Sequence, residues 1–283
     1  MALRINFNLA ASVAQRSLGA SQENYAKQAE RLATGLRINK AGDDAAGMAV
    51  SERLKNQVRG LNQASRNAQD GISMIQTAEG AMGEAHTILA RMRELAIQAS
   101  NDTVTANDRT NLQVEFSALY AEIDRIAAST QFNGTAVLNG ANGNGLKLQV
   151  GANEPAASNQ ITLNISPSSG FQPTMLNTNF AGGGASITTQ SLASASITVL
   201  DSAVNNVSEQ RAALGALQSR LESAGRSIAV AAENAAAANS RIADSDIAES
   251  MSELVRAQIL QQAGISVLAQ ANQAPALVLQ LLK

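Results

Sequence analysis

Residues 54–96 read LKNQVRGLNQASRNAQDGISMIQTAEGAMGEAHTILARMRELA and contain no proline. An apolar residue recurs at every seventh position of this stretch, at Leu54, Leu61, Ala68, Ile75, Met82, Leu89 and Ala96. A seven-residue apolar period is typical of the contact stripe of a coiled-coil helix. A helix from Asp44 to about Ser100 would be about 85 Å long, which suits a rod better than a compact domain.

Two further segments repeat this pattern and predict two more helices. Within residues 107–129 the apolar positions alternate spacings of four and three, at Leu112, Phe116, Leu119, Ile123 and Ile126. Within residues 197–243 they fall at Leu200, Val207, Leu214, Leu221, Ile228, Ala235 and Ile242. Narrow stripes are buried only against other helices. We therefore expect a mainly α fold, in which the N- and C-terminal flanks form a long, discontinuous coiled-coil rod over residues 44–243.

The middle of the chain has a different composition. Residues 133–190 are rich in Gly, Asn, Ser and Thr, and Asn133-Gly134 is a typical turn sequence. Two short segments alternate apolar and polar residues, with apolar positions at Leu146, Leu148, Val150 and at Ile161, Leu163, Ile165. This alternation predicts a β-hairpin that packs on the helices, and the remainder of the middle is expected to be irregular surface.

The two ends are predicted to form a second helical domain, residues 1–43 with residues 244–283. Residues 1–40 contain six basic and two acidic side chains, whereas residues 244–283 contain four acidic and two basic ones, so opposite charges favour their association. Residues 257–282 carry no charge but many amides, and their apolar surface requires a partner. The candidate assembly residues are Ile5, Leu9, Val13, Leu254, Ile259, Ile265, Leu268, Leu277 and Leu281.

Composition argues against several classes of partner. The chain of 283 residues has a net charge of -2, so it offers no basic field for nucleic acid and no charge that favours a membrane surface. No segment is apolar enough to predict a membrane span, and the N-terminus does not resemble a cleaved signal peptide. The absence of cysteine excludes disulfides and thiolate chemistry. We expect a protein partner, and a chain that is either cytoplasmic or exported without signal cleavage.

Residues for catalysis or metal binding are scarce. His86 is the only histidine, and it is expected to be structural or to face solvent. The sequence contains no HExxH helix and no Walker-type loop, and the glycines at 140, 143 and 145 lie in a turn. Asp43 and Asp44 could form an acid/base pair, but acidic residues at a helix start more often cap free N–H groups. We therefore expect helix caps at this pair, and no enzyme, cofactor or metal.

Long motifs in both flanks carry a resemblance to a known family. They include RLATGLRINKAGDDAAGMAVSERL (31–54), SRNAQDGISMIQTAEGAM (65–82), EIDRIAASTQFNG (122–134) and a C-terminal run that begins with SRIADSDIAES (240–250). In these motifs the chain resembles bacterial flagellin. The resemblance implies that the terminal segments fold on assembly and line the inner tube of a flagellar filament, whose outer tube is the rod. It also implies a helical homopolymer that acts as a propeller for swimming.

The same resemblance implies a set of partners. Flagellins leave the cell through the flagellar type III export apparatus, a chaperone holds their C-terminal segment beforehand, and their filaments meet hook–filament junction and filament cap proteins. The chain would then be secreted and extracellular. Host Toll-like receptor 5 recognises flagellins at an Arg, a Leu and a Glu that are matched here by Arg91, Leu95 and Glu115.

Two alternatives remain open at this stage. A hook–filament junction protein shares the terminal design but does not polymerise indefinitely, and elongation of seeded filaments distinguishes the two. An enzyme on a coiled-coil scaffold would need a reactive cluster within residues 135–195, where Glu154 is the only acidic residue and where His and Cys are absent.

Overall fold

The structure is a computed structural model that describes residues 8–139, 145–153, 159–163 and 186–281, with the backbone alone described for residues 274–281. Within these ranges the chain forms five helices: α1 (Leu9–Thr34), α2 (Ala45–Ala99), α3 (Ala106–Ser129), α4 (Gln190–Ala243) and α5 (Ile247–Leu281). Four short strands form two antiparallel pairs: β1 (Gln131–Phe132) with β2 (Thr135–Ala136), and β3 (Leu146–Gln149) with β4 (Gln160–Leu163). The prediction of a mainly α fold with a small hairpin is confirmed.

Local sequence explains where several of these elements begin and end. Gly35 ends α1 in the left-handed conformation, with φ of 71°, and its N–H donates to Arg31 O over 2.8 Å. Thr105 and Asp108 form a reciprocal capping box at the start of α3. Asn133 and Gly134 both have positive φ, which is the geometry of a two-residue hairpin turn between β1 and β2.

The start of α4 differs from the prediction, because the helix begins at Gln190 rather than near residue 197. The Thr189 hydroxyl accepts from Leu192 N, and the Ala193 N–H donates to Thr189 O over 2.9 Å. Ala193 is fully buried and lies seven residues before Leu200, so the apolar period starts one heptad earlier. Alanine and serine fill these first seam positions, and for this reason the sequence resembles a loop.

The residues group into two compact units, one of Met1–Val58 with Glu233–Lys283 and one of Arg59–Ala232. The first contains α1, α5 and the adjoining ends of α2 and α4, so this grouping differs from the predicted division at residues 43/44 and 243/244. That division remains a prediction about the assembled subunit.

The core of the unit Arg59–Ala232 is built from the predicted seven-residue stripes. Its fully buried side chains include Ile75, Met82, Leu89, Phe116, Ile123, Leu200, Leu214 and Leu221. Arg93 pairs with Asp201 over 2.6 Å, and Arg211 pairs with Glu79 over 3.6 Å, so α2 and α4 are antiparallel in this unit. The hydrogen bond that Arg93 donates to Asp201 is also the main reason that the pKa of Arg93 is raised.

The hairpin β3–β4 lies on α2 at two glycines. A Cβ at Gly71 would overlap Leu148 Cδ1, and a Cβ at Gly60 would lie 2.9 Å from Ala152 Cβ. Between them, the Asn67 side chain donates to Gln149 O over 2.9 Å. Missing side chains on one face of α2 therefore make room for the hairpin. Ile165, the last apolar position of the predicted hairpin, and most of the predicted irregular middle lie outside the described residues.

Candidate functional site

The candidate site is the pair of terminal helices, which a short backbone contact joins at one end. The N–H of Arg37 donates to Ala243 O over 2.7 Å, and the N–H of Ser245 donates to Gly35 O over 2.9 Å. The Arg37 guanidinium also donates to Ile242 O over 2.7 Å, one of the carbonyls that a helix C-terminus leaves unpaired. Arg37 was not among the predicted site residues, although a basic residue in the connection between α1 and α2 is a recognisable candidate for this contact.

Helices α1 and α5 pack against each other in antiparallel orientation. Leu36 forms an isolated bridge with Asp244, Gly264 lies against Leu18, and the Asn8 side chain donates to Ala271 O over 2.8 Å. Rising residue numbers in α1 therefore meet falling numbers in α5. A Cβ built on Gly264 would lie 3.4 Å from Leu18 Cδ1, so the two helices approach closely at this glycine.

Most side chains on the seam between α1 and α5 are small or polar. In α5 the buried and half-buried positions recur at spacings of four and three: Ser250, Leu254, Ala257, Gln261, Gly264, Leu268 and Ala271. In α1 the same spacing selects Ala11, Ala14, Leu18, Ser21, Tyr25, Gln28 and Leu32, of which Ala14 is buried and Tyr25 borders on exposed. Two of the predicted assembly residues, Leu254 and Leu268, thus face α1. Such a seam buries little apolar area for its length.

Several of the larger apolar side chains of the pair point away from the seam. Leu9 is 63% exposed, Ile259 60% and Ile265 53%, and Val13 is also exposed. Five exposed residues of α5 that were not among the predicted assembly residues have the same character: Ile247, Met251, Val255, Leu260 and Val267. Their apolar identity was visible in the sequence, but their orientation depends on which face α5 turns to α1. Ile5 and the side chains of Leu277 and Leu281 lie outside the described residues.

A polar face runs along α5 opposite the seam. Gln258, Gln262, Ser266, Gln270 and Gln273 recur every three or four residues, and all are exposed. From residue 258 onwards the helix therefore presents mainly amides on this side, interrupted by Ile259, and apolar residues such as Leu260 and Ile265 on its flanks.

The two aspartates before α2 have different roles. Asp44 Oδ1 accepts from Gly47 N over 2.8 Å, as an N-cap residue does. Asp43 does not cap this helix, which corrects the expectation for that residue. Its carboxylate instead accepts from the backbone N–H groups of Asn39 and Lys40 and pairs with Lys27 over 2.8 Å. The hydrogen bond from Lys27, followed by those two backbone donors, lowers the pKa of Asp43 to about 2.

The predicted receptor residues lie on two adjacent helices, but only two of them are accessible. The Arg91 guanidinium donates to Glu115 over 2.9 Å and to Glu94 over 3.1 Å, and the bond to Glu115 is the main reason that the pKa of Arg91 is raised. The Arg91 side chain is 50% exposed and that of Glu115 is 44% exposed. Leu95 is 1% exposed and belongs to the core, so it cannot itself be a surface contact. Leu95 had been included only because the resemblance to flagellins implied it.

The remaining candidates for chemistry show no cluster. Within the described residues, no group of three or more His, Asp or Glu side chains is placed to hold a metal ion. His86 is half-buried, and its Nδ1 has no hydrogen-bond partner in the described part of the chain. A search of the described helices found none that is long and apolar enough to cross a membrane.

Comparison with known proteins gives matches over almost the whole chain. The profile of the bacterial flagellin N-terminal helical region matches residues 5–143, and that of the C-terminal helical region matches residues 197–282. The chain is 47% identical to the flagellin of Halalkalibacterium halodurans over 279 residues, which cover 99% of both chains. It is 44% identical to the flagellin of Bacillus subtilis over 308 aligned positions, which cover 99% of this chain and 100% of that one.

A solved structure shares the fold at much lower identity. A putative flagellar hook-associated protein from Vibrio parahaemolyticus superposes with a TM-score of 0.53 and 14% identity, covering 71% of this chain and 100% of that one.

Proposed function

Because the chain belongs to the bacterial flagellin family and is a structural subunit of the flagellar filament, we propose that copies of this chain join one another through the outward faces of α1 and α5. Like its relatives it is a structural protein and not an enzyme. In this proposal residues 1–43 and 244–283 form the inner tube of the filament, and residues 44–243 form the outer tube. Identical subunits that add head-to-tail give an open helical array, whose rotation drives swimming.

One observation carries this proposal, namely that the terminal pair faces several large apolar residues outward. Leu9, Ile259 and Ile265 are each more than half exposed, whereas the seam between the helices contains mainly small and polar residues. Fully burying an Ile or Leu side chain stabilises by about 1.5–3 kcal/mol, so covering several half-exposed ones contributes a few kcal/mol per contact. In an isolated terminal pair these side chains stay exposed, and the stabilisation is gained only when neighbouring subunits bury them.

The amide face of α5 indicates which side of this helix faces water in the filament and which sides face neighbouring subunits. Gln258, Gln262 and Gln270 are exposed and uncharged, so they suit a water-filled channel on one side of the helix. The apolar flanks beside them then face neighbouring subunits. This division also explains how a helix without charge in its last 25 residues remains compatible with water.

A pair of substitutions tests the proposal on one helix. Ile265→Lys places a charge on an apolar flank and should abolish elongation of seeded filaments. Gln262→Lys places the same charge on the amide face and should allow elongation, because that side chain remains hydrated. Equal elongation by the two variants, measured by electron microscopy, would show that the apolar flank is not an interface.

A second part of the proposal concerns host Toll-like receptor 5, which we propose recognises the free subunit at Arg91 and Glu115. The exposure of both side chains and their mutual hydrogen bond support this part, since together they form a fixed polar surface across α2 and α3. Leu95 would contribute indirectly, because its side chain is buried in the core and fixes the part of α2 that carries Arg91.

Receptor activation by purified subunits tests this surface. Arg91→Ala should weaken activation by about tenfold, the usual scale of a charged contact at an interface. Arg125→Ala is the control, because Arg125 is an exposed arginine of α3 that pairs with Glu122 within its own helix. An unchanged response to Arg91→Ala, or an equal loss in the control, would remove the assignment.

The remaining proposed partners act before and during assembly. We propose export by the flagellar type III apparatus without signal cleavage, with a chaperone on the C-terminal segment and with junction and cap proteins at the ends of the filament. The exposed apolar residues of α5 support the chaperone, because they need cover until assembly. Purified chaperone should bind the full chain and not a chain that lacks residues 257–283; equal binding would place its site elsewhere.

A further inference from the structure

Helix α5 contains one proline, Pro275, and therefore one interrupted hydrogen bond. Proline has no backbone N–H, so the carbonyl four residues earlier lacks its usual intrahelical donor. That carbonyl belongs to Ala271, which is half-buried on the side of α5 that faces α1. An unpaired carbonyl in such a position costs free energy unless another donor reaches it.

The donor that reaches it is the side chain of Asn8. Asn8 Nδ2 donates to Ala271 O over 2.8 Å, across 263 positions of sequence. The other end of the same amide caps α1, since Asn8 Oδ1 accepts from Ala11 N over 3.1 Å. One side chain thus satisfies an unpaired N–H group at the start of α1 and the carbonyl that Pro275 leaves free in α5.

We propose that Asn8 is a positioning residue that sets the register of α1 against α5, with the Ala271 carbonyl as its acceptor because of Pro275. Sliding α1 by one heptad toward the start of α5 would place the Asn8 amide opposite Gly264, whose carbonyl has an N–H donor within α5. It would also leave the Ala271 carbonyl without a donor. A single polar contact can fix register in this way at a modest cost in stability.

Such a device is useful because the seam itself specifies register weakly. Ala11, Ala14, Ala257 and Ala271 are small enough to fit opposite many neighbours, so a slipped pair loses little packing. A slipped pair would, however, move the outward apolar residues of α5 along α1. The inference therefore rests on the proposed assembly through that outward face.

Engineered disulfides measure the register of α1 against α5, and the chain contains no cysteine of its own that would form other disulfides. A Cβ on Gly264 would lie 3.8 Å from Leu18 Cβ, which suits a disulfide, so Leu18→Cys with Gly264→Cys reports the native register. Leu18→Cys with Ala257→Cys reports a slip of one heptad. The ratio of the two yields is measured in the full chain, both free and after seeded assembly, in four backgrounds.

The backgrounds are the native sequence, Asn8→Ser, Pro275→Ala and the double variant. Serine keeps an oxygen that caps α1 but lacks the amide donor. Asn8→Ser should lower the ratio of native to slipped cross-links by about tenfold, the equivalent of one buried hydrogen bond to a carbonyl that otherwise has no donor. In the Pro275→Ala background residue 275 supplies its own N–H, so Asn8→Ser should change the ratio by less than about twofold.

Each outcome decides the inference. An equal effect of Asn8→Ser in both backgrounds, or no effect in either, would overturn it, because Asn8 would then act only as a helix cap or not at all. Asn8→Asp, which keeps the shape and the capping oxygen but has no donor, should repeat the result if serine caps poorly. Failure of the native chain to elongate seeds would count against the proposed function. The ratio in the free chain would still decide the register, because a disulfide traps each pairing of α1 with α5 that the free chain samples before the terminal segments become ordered on assembly.

Discussion

Replacing Gly71 with alanine perturbs the contact between α2 and the hairpin β3–β4. A Cβ at this position would overlap Leu148 Cδ1 on one side and lie 3.3 Å from Leu221 Cδ1 on the other. Leu221 is fully buried and cannot retreat, so Leu148, which is half-buried, must move. Overpacking of this kind costs about 1–3 kcal/mol.

The gain in helix propensity must be subtracted from this cost. Alanine in place of a helical glycine stabilises by about 0.5–1 kcal/mol. Gly80 is the matched control, because it lies in the same helix and a Cβ there meets nothing within 4 Å. Gly80→Ala should therefore show the gain alone, and Gly71→Ala should be less stable than Gly80→Ala by about 1–3 kcal/mol.

Guanidinium chloride unfolding of the soluble subunit, followed by circular dichroism, measures both variants. A lower midpoint for Gly71→Ala than for Gly80→Ala is the expected result. Coincident unfolding curves would refute the reasoning, since they would mean that the hairpin does not occupy the space above Gly71.

Three further predictions concern single side chains. The lowered pKa of Asp43 means that its ion pair with Lys27 stabilises the folded chain above about pH 4 and is lost as the pH falls through about 2. Filaments of Asp43→Asn should therefore lose this part of their acid sensitivity when their dissociation is followed by light scattering. Asp44→Ala removes the N-cap of α2 and should lower the free energy of unfolding by about 1 kcal/mol in denaturant titrations, whereas Asp44→Ser should not. Gln113 Oε1 accepts from the buried Ile187 N over 2.7 Å, so Gln113→Leu should cost about 1–3 kcal/mol in the same titrations, and an unchanged midpoint would contradict that role.

Much of the fold follows from patterns that are local in the sequence. The seven-residue stripe through Ile75, Met82 and Leu89 predicted α2, and these residues are fully buried. Alternating residues around Leu148 and Ile161 predicted β3 and β4, whose register pairs those two residues. Patterns of this kind can be recognised within a single segment, because the spacing of the apolar residues alone shows which side of the helix or strand is apolar.

The site was less accessible to sequence reasoning, because it depends on which faces meet. Leu9 and Ile265 were correctly recognised as apolar, but nothing in their spacing tells that small residues form the seam and leave both exposed. Leu95 illustrates another limit, since the family resemblance implied a receptor contact at a residue that packing buries. The contact between Asn8 and Ala271 joins residues 263 positions apart, and no local signal indicates it.

Truncation of α5 tests whether the outward face of the terminal pair joins subunits. Removal of residues 257–283 deletes most of the exposed apolar flank and the amide face of α5, while the unit Arg59–Ala232 keeps all its residues. The measurement is electron microscopy of the truncated chain after addition to filament seeds, with the full chain in parallel. The full chain should grow long filaments, whereas the truncated chain should remain a soluble helical protein that adds nothing to the seeds. Filament growth by the truncated chain would contradict the proposed role of the outward face.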